Sequence, residues 1–145
     1  MAKIRDIIRG KTPDTIDPEA MVLEAPRKMT AATVGALAVI EAERLVGIFS
    51  ERDLMTRVMA QGLDPAATRV RKVMTQDLVV ADADETPEAC VNRMKQLHVR
   101  HLPVVEDNKL IGMLSVRNLL MIVHTAKDEE IKWLTEYVYY TPGRR

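Results

Sequence analysis

Residues 35–58 read GALAVIEAERLVGIFSERDLMTRV, and residues 100–123 read RHLPVVEDNKLIGMLSVRNLLMIV. Laid over one another at an offset of 65 without a gap, nine of the 24 pairs are identical. They are Leu37/Leu102, Val39/Val104, Glu41/Glu106, Leu45/Leu110, Gly47/Gly112, Ser50/Ser115, Arg52/Arg117, Leu54/Leu119 and Val58/Val123. About half of the other pairs exchange like for like. The same offset carries Met29 onto Met94, while an offset of 66 lays Ile4, Arg5 and Ile7 over Val70, Arg71 and Val73, so one residue was gained between those points. The chain is a tandem duplication over nearly its whole length, and that repetition conditions the reading of every motif inside it.

Each copy has the same punctuation. A short apolar helix (residues 4–8 and 70–74) precedes a brief extended piece, Thr15-Ile16 in the first copy and Leu78-Val79-Val80 in the second. An amphipathic helix follows. In the second copy Thr86 is suited to cap it and Pro87 to occupy its first position, with Ala89, Cys90, Met94 and Leu97 on one face. In the first copy Val22, Leu23 and Met29 fill that role, and Pro26 is expected to kink or shorten the helix. Two apolar runs around a polar tetrad (residues 41–44 and 106–109) then read as β-hairpins. Ser50 and Ser115 open second helices, with Leu54, Met55, Val58 and Met59, or Leu119, Leu120, Ile122 and Val123, at helical spacing.

These elements predict an α/β fold of two β-α-β-β-α units, residues 1–65 and 66–126, followed by a helical extension over 127–145. A unit of about 65 residues buries too little surface to stand alone, so the two should pack sheet against sheet around a shared core. Residues 62–65, Gly-Leu-Asp-Pro, end the first unit and begin the linker.

Composition narrows the function. The chain has 145 residues, with 21 basic and 21 acidic, and so lacks the basic excess that nucleic-acid binding draws on. Its longest apolar runs, about five residues, fall far short of a membrane span. The single Cys90 forms no internal disulfide and points to a reducing compartment, the cytoplasm. No P-loop or dinucleotide-binding glycine fingerprint occurs, and no Ser, His and Asp are spaced as a catalytic motif. We therefore expect a binder with no catalytic residue.

One motif goes beyond packing. Gly47, Ser50 and Asp53, copied as Gly112, Ser115 and Asn118, form Gly-x-x-Ser-x-x-Asp/Asn where a strand enters a helix. A serine there sets its hydroxyl beside unpaired backbone N–H groups and the positive helix end, an arrangement suited to phosphate. An acidic side chain one turn later can accept both hydroxyls of a ribose through charge-assisted hydrogen bonds. The competing reading is an ordinary helix cap, with the glycine serving the strand. Either copy alone favours the cap; two copies at one offset favour binding.

On the stretches VGALAVIEAERLVGIFSERDL and VRHLPVVEDNKLIGMLSVRNL the chain resembles the tandem pair of cystathionine-beta-synthase (CBS) domains, in the stand-alone bacterial form. The resemblance covers approximately residues 3–123. It implies pseudo-twofold pairing of the units, two clefts between their sheets, and binding of an adenosine nucleotide, with AMP first and ADP, ATP or NAD as alternatives. It also implies homodimers built as a flat disc. Carried over by position, the first cleft would use Thr15, Ile16, Ala36, Leu37, Ala38, Ser50, Arg52 and Asp53. The second would use Val79, Val80, Arg100, His101, Leu102, Pro103, Ser115, Arg117 and Asn118. Asn118 departs from the family's ribose-binding Asp, which should weaken ribose capture by about 1 kcal/mol. With Arg100, His101 and Arg117 near it, the second site is expected to be led by phosphate. The function implied is regulatory sensing toward an unidentified partner protein. A constitutive interaction scaffold is the alternative.

Other residues read more plainly. His98 and His101 are three apart but straddle a helix-to-strand transition and have no third ligand, so no metal is expected. Cys90 falls on an apolar helix face with no base beside it and reads as a packed thiol. Met55, Met59, Met94, Met113 and Met121 read as core filling. Four of the five aromatics, Trp133, Tyr137, Tyr139 and Tyr140, lie in the carboxyl-terminal extension, where Ile131, Leu134 and Val138 mark one stripe. That segment is expected to form a dimer contact.

Overall fold

A computed structural model describes residues 2–122. The carboxyl-terminal extension and the dimer contact expected of it lie outside the described residues. The elements in chain order are α1 (Ile4–Ile8), β1 (Thr15–Ile16), α2 (Glu24–Ala32), β2 (Ala36–Glu41), β3 (Arg44–Ser50) and α3 (Glu51–Asp53), which continues as a π-helix over Leu54–Met59. Then come α4 (Val70–Val73), β4 (Ala81–Asp82), α5 (Pro87–Leu97), β5 (His101–Glu106), β6 (Lys109–Ser115) and α6 (Val116–Ile122). They form two three-stranded sheets, β1-β2-β3 and β4-β5-β6, so the α/β class expected from the repeat holds.

The polypeptide falls into two compact units whose composition does not follow the repeat. One unit holds Thr12–Val79 with the hairpin tip Val105–Ile111; the other holds, among the described residues, 2–11, Val80–Val104 and 112–122. Each short entry helix therefore belongs to the unit built on the other copy's sheet. In one unit the Ile4 N–H donates to Glu85 O (2.9 Å) and the Arg5 N–H to Ala83 O (2.8 Å). In the other, the Val70 N–H donates to Ala20 O and the Arg71 N–H to Pro18 O, each at 2.9 Å. Side chains repeat the docking. The Arg5 guanidinium meets Asp84 at 3.2 Å, and that of Arg71 meets Glu19 at 2.6 Å and also Glu41.

The two glycines of the repeated motif serve this docking. A Cβ on Gly47 would lie 2.7 Å from Met74 Sδ and 3.0 Å from Thr75 O. A Cβ on Gly112 would lie 2.8 Å from Ile8 Cδ1. Ile8 and Met74 are counterparts at the offset of 66, so each glycine is the notch that receives the other copy's entry segment.

In the unit centred on β1-β2-β3, Ile16, Val22, Ala25, Met29, Leu37, Val39, Phe49, Val58, Val70, Val73 and Met74 pack as one core. Ala36, Leu37, Ala38 and Val39 are all buried, as expected of a central strand covered on both faces. In the other unit Ile4, Cys90, Met94, Leu102, Val104, Leu114 and Leu119 are buried. Both hairpins close through two residues at positive φ, Ala42 and Glu43 (51° and 66°) and Asp107 and Asn108 (50° and 64°), the geometry that suits the twist of paired strands.

Three expectations need correction, and a fourth holds in part. Pro26 sits in the first turn of α2, where its missing N–H has no intrahelical partner to lose, yet the helix is shorter as expected: it begins at Glu24 and has nine residues against eleven in α5. Val22 and Leu23 accordingly precede that helix. The second extended piece is Ala81–Asp82 rather than residues 78–80; the offset of 66 carries Thr15-Ile16 there. Met55, Met59 and Met121 are 45%, 59% and 77% exposed, and Leu97 is 52% exposed, so none of the four fills the core. For Met55 and Met59 the cause is the wider π-helical winding, which moves side chains off the 3.6-residue stripe assumed from sequence.

Candidate functional site

Where β3 enters α3, Ser50 and Asp53 close a reciprocal cap. The Asp53 N–H donates to Ser50 Oγ (3.2 Å), while the Ser50 N–H and hydroxyl donate to Asp53 Oδ2 at 2.9 and 3.1 Å. The Glu51 N–H donates to Gly35 O at 2.9 Å, so two of the first three helix donors are used internally. Oδ1 of Asp53 faces a different part of the chain. It accepts the Thr75 hydroxyl at 3.0 Å and pairs with Arg57 Nε at 3.5 Å. Asp53 is 7% exposed, a carboxylate taken out of water with hydrogen-bonding partners on both oxygens.

The second corner repeats the cap without the charge. Asn118 Oδ1 accepts from the Ser115 N–H (3.0 Å) and hydroxyl (2.9 Å), and the Asn118 N–H donates to Ser115 Oγ at 3.1 Å. The Val116 N–H donates to Arg100 O at 3.0 Å, the counterpart of the bond to Gly35. At the positions of Arg57 and Thr75 this copy has Ile122 and Arg9, and the Arg9 guanidinium pairs with Asp6 at 3.5 Å.

The remaining expected residues fall at defined places. Ala36 stands opposite Ser50 in the β2/β3 ladder, and Thr15 and Ile16 pair with Ala38 and Val39 in the parallel β1/β2 ladder. Thr15, Ile16, Ala36, Leu37, Ala38 and Ser50 thus belong to one sheet, and Arg52 is exposed on α3. Thr15 also lines an open cavity of about 480 Å³ with Pro13, Asp14, Lys28, Ala31 and Ala32, where Lys28 Nζ donates to Thr15 O at 3.0 Å. In the other unit His101, Leu102 and Pro103 open β5, Ser115 ends β6, and Arg117 is exposed on α6. Val79 and Val80 precede β4, and Val80 O accepts from Arg93, which also pairs with Glu85 at 2.6 Å.

Sequence reasoning missed Thr75 and Arg57. Arg57 lies four residues after Asp53, the spacing of a helical ion pair, and that signal was readable. Thr75 had no such signal, since it meets Asp53 from 22 residues away.

Two titratable groups are displaced from their ordinary range. Burial, with Arg100 beside it, lowers the His101 imidazole to about 4, although part of the residue reaches solvent; the ring is neutral at physiological pH. Burial, together with the Glu85 carboxylate, pushes the Cys90 thiol up to about 11. That keeps it protonated and unreactive at neutral pH. His98 is the exposed left-handed cap of α5. Among the described residues no three His, Cys, Asp or Glu side chains cluster as metal ligands. No helix among them is long and apolar enough to cross a membrane.

Comparison with known proteins agrees with this architecture. The CBS domain model matches residues 4–60 and 70–125. The chain is 35% identical over 124 residues to the mitochondrial CBS domain-containing protein CBSX3 of Arabidopsis thaliana, covering 81% of this chain and 59% of that protein's length. It is 32% identical over 119 residues to YhcV of Bacillus subtilis, covering 82% of this chain and 84% of the relative. Among solved structures, the CBS domain NE2398 is 34% identical with a TM-score of 0.80, over 85% of this chain and 98% of that one. The CBS domain protein PAE2072 of Pyrobaculum aerophilum, solved with AMP, shares the fold at 21% identity and a TM-score of 0.75, over 86% of this chain and all of that one. With both copies of the repeat matched and each copy forming its own three-stranded sheet, the chain belongs to the CBS-domain family as a tandem pair.

Proposed function

We propose that this CBS pair is a regulatory module that binds an adenosine nucleotide, AMP first and ADP, ATP or NAD as alternatives, and signals to a partner by a change of conformation. The observation that carries the reading is the charge on Asp53. Asn118 makes the same cap at closely similar distances with a neutral amide, so capping alone does not call for a carboxylate. Yet Asp53 holds one at 7% exposure and turns its second oxygen away from the cap. An acceptor of that kind suits the vicinal hydroxyls of a ribose. Ala36, opposite Ser50 in the ladder, has the small side chain that a base stacked beside it would call for. PAE2072, which shares the fold, was solved with AMP, and this supports the reading. The corner at Ser115 and Asn118, with Arg100, His101 and Arg117 close in sequence, is proposed to take a ligand led by its phosphates. The module acts without catalysis of its own, as a homodimer.

Calorimetric titration of AMP and ATP into the wild type and Asp53→Ala tests the assignment. Loss of AMP binding in the variant is expected; equal affinities in both proteins refute it. Ligand alters the output only through a difference in affinity between two arrangements. The second reading, a constitutive scaffold, is favoured by one observation: both oxygens of Asp53 already have internal partners. Thermal unfolding separates the two, because a ligand at 100 times its dissociation constant adds roughly 2.7 kcal/mol. No shift with AMP, ATP or NAD supports the scaffold.

A further inference from the structure

A carboxylate offers about four lone-pair sites, and Asp53 uses three of them for the Ser50 N–H, the Ser50 hydroxyl and the Thr75 hydroxyl, with the Arg57 guanidinium ion-paired to Oδ1 beside them. A ribose diol would bring two more. Those on Oδ2 close the helix cap and cannot leave without opening the start of α3. The exchangeable pair sits on Oδ1, and both of its members lead to one segment. Thr75 belongs to that segment, and Arg57 reaches it through Nη1, which donates to Met74 O at 3.1 Å.

We propose that Thr75 is the partner a ribose displaces from Asp53, so that ligand uptake unpins residues 74–75 from the edge of β3. The inference rests on the ribose reading of Asp53 given above and adds the route by which binding leaves the site. Apart from Asp53 and Arg57, the segment is held to β3 by two backbone bonds, the Ile48 N–H to Thr75 O (3.0 Å) and the Thr75 N–H to Ile48 O (2.9 Å), and by Met74 in the Gly47 notch; the Met74 N–H also donates to Val70 O (2.9 Å), and the Met74 side chain joins the core. Five residues beyond Thr75 the chain passes into the other unit, at Val80. A ligand that takes over Oδ1 thus slackens one of the four places where the chain crosses between the units. The Asn118 corner has no such latch, because Arg9 turns to Asp6 and Ile122 carries no donor on its side chain.

The test combines calorimetry with amide hydrogen exchange on the full chain, using AMP as the probe. Thr75→Val removes the competing hydroxyl and keeps the side chain's shape; Thr75→Ser keeps the hydroxyl. The valine variant is expected to bind AMP roughly fivefold more tightly than wild type, the gain from deleting one competing hydrogen bond, and the serine variant like wild type. In the wild type, AMP is expected to speed exchange of the Ile48 and Thr75 amides, a readout that needs no variant to fold. AMP binding that leaves those amides equally or better protected overturns the proposal, as does weaker binding by Thr75→Val. Asp53→Asn separates the two levels. If it binds AMP as well as wild type, or if neither wild type nor Thr75→Val binds AMP, the ribose reading falls and the exchange falls with it.

Discussion

The Ser50–Asp53 corner and the Ser115–Asn118 corner share a backbone path, a serine cap and a set of hydrogen bonds within a few tenths of an ångström. They differ in charge, and the difference extends beyond one residue. Asp53 has Arg57 one turn on, whereas Asn118 has Ile122 at that place; Asp53 receives Thr75, whereas Arg9 stands at the equivalent position. The duplication thus holds its own control. What both copies keep, the glycine notch and the cap, is architecture, and what only one keeps is where function is sought.

Breaking what the copies share has the largest expected effect. Gly47→Ala drives a methyl against Thr75 O, a backbone atom that cannot step aside as a side chain can, and should cost about 2–3 kcal/mol in urea unfolding. Gly112→Ala meets only side-chain atoms of Ile8, which can give way in part, and should cost less; a neutral result at either site means the notch is not needed there.

The next effect separates the copies by pH. His101 has Ala36 as its counterpart, so only one copy titrates here. The folded imidazole is lowered from 6.5 to about 4, so between those values the unfolded chain binds the extra proton. Stability from this group is complete above about 6.5 and is lost as the pH falls toward 4, by about 2 kcal/mol allowing for partial exposure. His101→Gln should flatten that slope in unfolding curves measured across the window.

Making the first corner resemble the second is a smaller perturbation. Asp53→Asn should destabilise by about 1 kcal/mol, through loss of the pair with Arg57 and a mismatched amide beside Thr75. Adding Arg57→Ile should recover part of it, and a coupling near zero in this double-mutant cycle would mean that the two residues act independently. The smallest effect belongs to the turns. Replacing Ala42-Glu43 by Asn-Gly should raise stability by about 0.5 kcal/mol, since both positions hold positive φ. The Asp107-Asn108 turn should gain less from the same change, as its residues already tolerate that conformation.

Much of the fold was legible because it is local. Thr86 accepts from the Ala89 N–H, Pro87 opens α5, and the hairpins close within their polar tetrads, each a consequence of neighbours in sequence. The Asp53 cap was legible for the same reason, and so was the competing view that it is only a cap. What escaped depends on distant chain. An apolar run at 78–80 reads as strand, yet Ala81–Asp82 takes that place, because strand position follows the partner as well as local apolarity. The exposure of Met55 and Met59 escaped because it follows from helix winding.

The sequence by itself determined the duplication, the order of elements in each copy and the pairing of serine with an acid or amide three residues on. All of these arise from periodicity and hydrogen bonds that span a few residues. The tertiary structure alone decided that each entry helix serves the other copy's sheet and that Thr75 meets Asp53. The physical reason is that a buried carboxylate must find its donors in whatever chain packs against it, and no local rule says which stretch that is.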